Sequence, residues 1–459
     1  MKKIHLSWLL LISINITAQP ISQRLNNAWK AFMADSQMRY AIAAFSVFDL
    51  NTGKIVFERN ANIGLAPAST QKIITSVAAF EMLGKEYRFK TELGYTGSIN
   101  KGELNGDLYI SGSGDPTLGS WRWKKTVDSN LLGEWAQAIK SAGIKSITGN
   151  ILVDTSRFSY QAIPDGWIWQ DIGNYYGAGS FALNWKENQF DVLLKSGNYL
   201  NSAVEILSSE EKFLNELRAA EKGSGDNAFA YLPIGKKMAL IKGSIPLAEN
   251  SFSISLADPD PTETLAKEFC GYLQSNGILT SKAFRYQNIS RKNQNPKIVH
   301  IHSSPPLDSV NYYFLRKSVN LYGEALLKTI SLEKKGFADT EKGIELVRNY
   351  FSQTGIDKLS INIIDGSGLS PQNRVTANAL LRMLQLARSK PWYNSFFHAL
   401  PEYNGMKMKS GSINGVRAYA GYHKATDGKE YAFSIIVNNF NGSGSEIVRK
   451  IYKLLNLLK

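Results

Sequence analysis

Cysteine is nearly missing from this chain: among 459 residues there is one, Cys270. A lone cysteine cannot close an intramolecular disulfide, and no Cys-x-x-Cys metal or redox pair can exist. Histidine is scarce as well, with only His5, His300, His302, His398 and His423. None belongs to a G-x-S-x-G elbow and there is no H-E-x-x-H, so the usual serine–histidine and zinc-protease signatures are absent. His300 and His302 alternate on one strand face, a spacing compatible with a metal ion. The nearest carboxylate in sequence, Asp308, lies beyond a Pro-Pro pair. The two histidines are therefore read as plain strand residues, and no metal or cofactor is implied. After the first 20 residues no run approaches the roughly 18 apolar residues of a membrane helix. Arginine-rich arms, nucleic-acid motifs and internal repeats are also lacking, which argues against a DNA- or RNA-binding protein.

What is there begins with "MKKIHLSWLLLISINITAQP". Lys2 and Lys3 form a basic start, Trp8 to Ile16 an apolar centre, and Thr17-Ala18 a small-residue cleavage site. Residues 1–18 read as a secretory signal peptide. The expected location is exported and periplasmic, soluble or loosely membrane-associated. The formal charge of +14 is spread along the chain, which suits attraction to anionic wall polymers or a membrane surface. At 459 residues the chain exceeds one compact core, and two or three domains are expected.

Both ends carry hairpin patterns. "YAIAAFSVFDLNTGKIVFERN" turns at Asn51-Thr52-Gly53, and "VRAYAGYHKATDGKEYAFSIIVNNF" turns at Asp427-Gly428. Each adjoins an amphipathic helix, predicted near 21–35 and 445–458. One antiparallel sheet assembled from both termini follows, with everything between as an insertion. From about 89 to 289 many short strand-like runs are punctuated by Gly, Asn, Asp and Ser, predicting one or two β-rich domains. The polar stretch "SEEKFLNELRAAEKGSGDNA" interrupts them. Helical patterns return from about 298.

A serine needs a base to attack a carbonyl, and lysine can serve where histidine is absent. In "APASTQKIITSVAAFEMLG" Ser69 and Lys72 stand three apart on a helix predicted over 69–83, so they share one face. Burial against Ile73, Ile74 and Val77 would lower the lysine pKa, and a second cation nearby would lower it further. Alone the spacing is weak, and a helix cap beside a solvated lysine would explain it. Two further motifs follow in order. "RKSVNLYGEALLK" places Ser318 and Asn320 around one residue ahead of a helix, and "MKMKSGSINGVRAYAGY" places Lys409-Ser410-Gly411 at the start of an edge strand. There glycine would admit a closely approaching backbone. S-x-x-K, S-x-N and K-[ST]-G in this order form the penicilloyl-serine signature.

The sequence resembles the DacB-type, class C low-molecular-mass penicillin-binding proteins, which are D-alanyl-D-alanine carboxypeptidases and endopeptidases. The likeness extends through "PASTQK", "SGSGDPTL", "GWIWQDIGNYYGAGSFALNWKENQF", "HSSPPL", "SVNLYGEALLK", "DGSGLSPQNRVT" and "KSGSINGVRAYAGY". It implies an α/β (α+β) penicillin-binding, β-lactamase-like transpeptidase domain, an antiparallel sheet flanked by helices. Residues 19–88 and 290–459 would form it, with 89–289 inserted. Two departures stand out: Val319 replaces the more common aspartate, and Ser410 the more common threonine.

The resemblance implies roles as well. Ser69 would attack the penultimate D-alanine carbonyl of a peptidoglycan stem peptide, with Lys72 as base. Ser318 would relay a proton to the leaving amine, and Asn320 would contact Lys72 and substrate. Lys409, Ser410, Gly411 and Ser412 would bind the terminal carboxylate, the Ser69 and Ser412 N–H groups holding the oxyanion. Asp171 would meet the free amine of meso-diaminopimelate. Asp365, in "DGSGLS", reads as a loop residue. Peptidoglycan peptides are the implied substrates, D-Ala–meso-diaminopimelate cross-links included, and β-lactams the implied covalent inhibitors. Two alternatives remain at this level: a serine β-lactamase-like hydrolase, and a non-catalytic wall-binding sensor of the same fold. The 245 residues between Lys72 and Ser318 leave little room for a compact β-lactamase.

Overall fold

The computed structural model describes residues 19–208, 212–233, 238–280 and 295–459. The expected signal segment, and the junction expected at 289/290, lie outside the described residues.

Six antiparallel strands form the central sheet. Their spatial order is Glu402–Tyr403, Met406–Ile413, Val416–Lys424, Glu430–Asn438, Ile42–Asp49 and Lys54–Arg59. The sheet does draw on both ends of the chain, and Ile42 pairs with Asn438 across its centre. Side chains alternate between the two faces, as the pleat requires. On one face Phe45, Val47, Phe433, Ile435 and Val437 pack under the helices Ile21–Met33 and Gly444–Leu455. The other face is lined by small residues, Ala44, Ala418, Ala420 and Ala432. Small side chains there let the helices Lys72–Met82 and Ala377–Arg388 lie close to the strands. Both faces are covered, so the central strands read as nearly continuous apolar runs.

The helix predicted over 69–83 begins differently. Ala68–Gln71 is a turn of 3-10 helix, and the α-helix runs from Lys72 to Met82. Every residue from Lys72 to Phe80 is buried. The sequence suggests one apolar side; the structure encloses the helix all round, between the sheet and the helix Asn320–Lys335.

The stretch read as one or two β-rich domains contains two separate cores. The first carries two four-stranded sheets and two long helices, Asp128–Ser141 and Pro261–Ser275, around Trp135, Leu131, Phe269 and Leu265. Its helices are a correction to the β-rich expectation. The boundary changes too: strand Lys297–Ser303, placed by the sequence with the catalytic part, pairs with Lys90–Tyr95 of this core. The second core packs two three-stranded sheets around Val192, Leu194, Leu217, Ile241 and Ile254. Part of the polar interrupting stretch is a strand of it, Phe213–Ala220, which buries Leu217 and Ala219 and exposes Glu216 and Arg218. Among the described residues no helix is long and apolar enough to cross a membrane.

Candidate active site

The site forms where the turn at Ala68–Gln71 meets three other segments. Ser69 stands on that turn, half-buried, and Lys72 opens the helix behind it. Lys72 Nζ lies 3.0 Å from Ser69 Oγ, 2.6 Å from Asn320 Oδ1 and 2.8 Å from the Ser367 carbonyl oxygen. As an ammonium it donates to all three. As a neutral amine it has two N–H groups, which the two carbonyl oxygens can take, leaving its lone pair toward Ser69 Oγ. Burial brings the Lys72 pKa down to about 7, against the pull of the Asp365 and Glu324 carboxylates.

Backbone strain marks two of these segments. Ala68, directly before the serine, has φ +46°, and Ser318 has φ +59°. Both are left-handed conformations that L residues rarely adopt outside functional sites. Val319, not Ser318 or Asn320, is the N-cap of the helix Asn320–Lys335, and no side chain caps it. Ser318 and Asn320 are thus not spent on capping. Asn320 Nδ2 donates to the Tyr176 carbonyl at 2.7 Å.

Strand Met406–Ile413 closes the other side. Among the described residues its one outer neighbour, Glu402–Tyr403, pairs with Met406 and Lys407, so residues 409–413 form an edge there. Gly411 faces the turn that carries Ser69: a Cβ on it would stand 2.5 Å from the Pro67 carbonyl oxygen and 3.0 Å from Thr70 N. The glycine expected to admit substrate therefore admits the protein's own backbone. Lys409 is buried, with Nζ 2.9 Å from the Ser410 carbonyl oxygen. Burial first, then the nearby Lys72 charge, hold its pKa well below the usual lysine value. Ser410 is half-buried and Ser412 exposed on the same strand.

Two carboxylates without a sequence assignment to this chemistry organise the site. Glu324, fully buried, accepts from the N–H groups of Gly366 and Ser367, both at 2.9 Å. It thereby fixes the Ser367 carbonyl that holds Lys72. Burial, then the Asp365 charge, pushes its pKa upward. Asp365 is a hub: its carboxylate accepts from Gln71 Nε2, Asn373 Nδ2, Trp167 Nε1 and the N–H groups of Gly368 and Ser370. The loop role read for it stands on this geometry. Nothing in the local sequence singles out Glu324, which stands four residues before Lys328 on this helix.

Asp171 lies on a short helix, Trp169–Ile172, outside the serine cluster. It is half-buried, its pKa raised by burial and held back by a hydrogen bond with the Tyr176 side chain. Since the Tyr176 carbonyl takes Asn320 Nδ2, Asp171 connects to the site through one residue.

A helix-flanked antiparallel sheet with this serine–lysine cluster beside its edge defines the penicillin-binding, β-lactamase-like class of folds. The chain belongs to the D-Ala-D-Ala carboxypeptidase 3 (S13) family, whose model matches residues 25–456. It is 26% identical over 443 residues to a D-alanyl-D-alanine carboxypeptidase of Actinomadura sp., covering 90% of this chain and 80% of that one. It is 25% identical over 423 residues to the D-alanyl-D-alanine carboxypeptidase DacB of Haemophilus influenzae, covering 86% and 85%. The crystal structure of penicillin binding protein 4 (dacB) from H. influenzae superposes with a TM-score of 0.80 at 22% identity, over 95% of this chain and 99% of that one. The same protein complexed with a β-lactam gives a TM-score of 0.74 at 21% identity over equal shares. The chain is a serine-type hydrolase of the D-Ala-D-Ala carboxypeptidase kind.

Proposed function

We propose that the chain removes the terminal D-alanine of peptidoglycan stem peptides through an acyl-Ser69 intermediate, and that it also cleaves D-Ala–meso-diaminopimelate cross-links. The observation that carries this is Lys72 Nζ, buried, 3.0 Å from Ser69 Oγ, with a pKa near 7. Neutral Lys72 takes the Ser69 proton as Oγ attacks the penultimate carbonyl. The N–H groups of Ser69 and Ser412 hold the oxyanion. Ser318 passes a proton to the departing amine, and Asn320 holds Lys72 and the substrate amide. Lys409, Ser410 and Ser412 receive the terminal carboxylate, with Gly411 keeping their strand against the nucleophile turn. Water then hydrolyses the ester. A β-lactam enters the same path and is retained as an acyl adduct.

Asp171 receives the amine of meso-diaminopimelate, supported by its position one residue from Asn320. The organisation we read is a discontinuous catalytic domain carrying a two-core insertion that ends after Ser303, exported by residues 1–18 to the periplasm. Incubation with radiolabelled penicillin and with purified muropeptides, monomeric and cross-linked, tests the proposal by mass and by labelling. Ser69→Ala should lose covalent labelling and fall about 10⁴-fold or more in kcat/KM. Retained labelling would place the nucleophile elsewhere. Release of D-alanine without cleavage of dimers would remove the endopeptidase part alone.

A further inference from the structure

Away from the serine site, three ligand-type side chains converge: Glu134 from the helix Asp128–Ser141, and His300 and His302 from the strand Lys297–Ser303. Glu134 Oε2 lies 3.9 Å from His300 Nε2 and 4.0 Å from His302 Nδ1. The three ligand atoms all fall within 4.8 Å of one another. These separations are too long for hydrogen bonds. His302 is 1% exposed, yet neither of its ring nitrogens has a hydrogen-bond partner, and His300 Nε2 is likewise buried without one. In either tautomer His302 leaves one bare N–H and one bare lone pair, a condition protein interiors seldom leave unanswered. Thr91 pairs with His302 across the strands, so the two side chains share a face, and its Oγ1 is a fourth buried polar atom without a partner.

We propose that Glu134, His300 and His302 bind a divalent transition-metal ion of the zinc type, with solvent completing the coordination. Two imidazoles and one carboxylate are a zinc donor set. Tetrahedral bonds of about 2.0–2.2 Å put ligand atoms roughly 3.3 Å apart. The two Glu134 spacings must close by less than 1 Å, which its 41% exposed side chain is free to do, and the imidazoles, now within 4.8 Å, close on each other by a shift of the part-exposed His300 ring. Lys125 is the cation facing both imidazoles; it opposes a dication, while Glu134 offsets it, so affinity is moderate. The carboxylate that sequence proximity could not supply comes from 166 residues upstream. The ion would clasp the helix Asp128–Ser141 to the last strand of the insertion. That strand leads through Pro305-Pro306 into the helix Leu307–Arg316, whose Phe314 ring lies 5.8 Å from Lys72 Nζ. The site is a structural clasp, not a part of the hydrolytic chemistry.

The test uses purified untagged protein stripped by a chelator, then titrated with zinc by calorimetry and with cobalt(II) by visible absorption. Wild type should take up one equivalent, show the ligand-field bands of a low-coordinate cobalt site, and gain a few degrees in Tm at zinc 100-fold above Kd. Glu134→Gln, at an exposed position that folding does not need, should weaken zinc binding at least tenfold. His300→Ala should abolish the cobalt bands. Circular dichroism checks that both variants are folded. Absence of a stoichiometric equivalent in wild type, or equal binding by wild type and the folded Glu134→Gln/His300→Ala double variant, would overturn the proposal.

Discussion

In the proposed mechanism Lys72 is the base, and its environment sets a pH dependence. The pKa is lowered from 10.5 to about 7 because burial disfavours the ammonium. Above pH 7 the amine is mostly neutral and can accept the Ser69 proton; below it, the base is lost. The second-order rate of acylation by penicillin should therefore fall about tenfold per unit below pH 7 and level off above it, read by stopped-flow labelling. A flat profile from pH 5 to 8 would assign the proton to another base. Asp171 makes a separate prediction. Asp171→Ala should raise KM for diaminopimelate-containing peptides several-fold and leave penicillin acylation unchanged; an unaltered KM removes it from substrate recognition.

The motifs S-x-x-K, S-x-N and K-S-G were legible because each is a short local pattern. Glu324 and Lys328 were not. Standing four apart with opposite charge, they resemble a solvated helix pair. Both are buried instead, Lys328 donating to the Gln161 and Ser180 carbonyls at 2.7 Å. Only the surrounding elements reveal that this helix has no solvent side.

At the scale of elements, the site depends on one crossing. The helix Asn320–Lys335 meets the loop 365–368 where Gly323 and Gly366 touch; a Cβ on Gly366 would stand 2.3 Å from the Gly323 carbonyl oxygen. That contact puts Glu324 under the loop amides and the Ser367 carbonyl over Lys72. Glu324→Gln should lower Tm, because an amide cannot accept from two N–H groups as a carboxylate does, at a cost of about 1–3 kcal/mol. Sequence periodicity could place the helix but not this crossing. For the same reason it could not show that the Ser69 turn is 3-10 in form, packed between the strand at Gly411 and the loop at Gly368.

Across the whole molecule, the insertion is bolted to the catalytic helices by buried polar contacts. Glu187 accepts from Arg122 Nε and Nη2, Ser120 Oγ and the Tyr322 hydroxyl. Trp167 joins Asp365, and Tyr176 joins Asn320. Glu187→Gln breaks a buried ion pair and should cost about 3 kcal/mol. Differential scanning calorimetry should then separate one unfolding transition into two, the insertion melting apart from the sheet. A single unshifted transition would show that the bolt contributes nothing. The sheet drawn from both termini was legible because hairpin turns and period-two patterns are local signals. The nested cores were less so: helices Asp128–Ser141 and Pro261–Ser275 lie among many short strands, and the pairing of Lys297–Ser303 with Lys90–Tyr95 spans some 200 residues of chain.

The pairing of Ile42–Asp49 with Glu430–Asn438 also sets a schedule. A ribosome delivers Ser69 early, but the strand that seats beside it and carries Lys409 follows only some 340 residues later. The insertion is delivered whole in the interval, while the catalytic sheet still lacks its partner strand. A serine hydrolase assembled this way gains the edge beside its site only when strands far apart in the sequence meet.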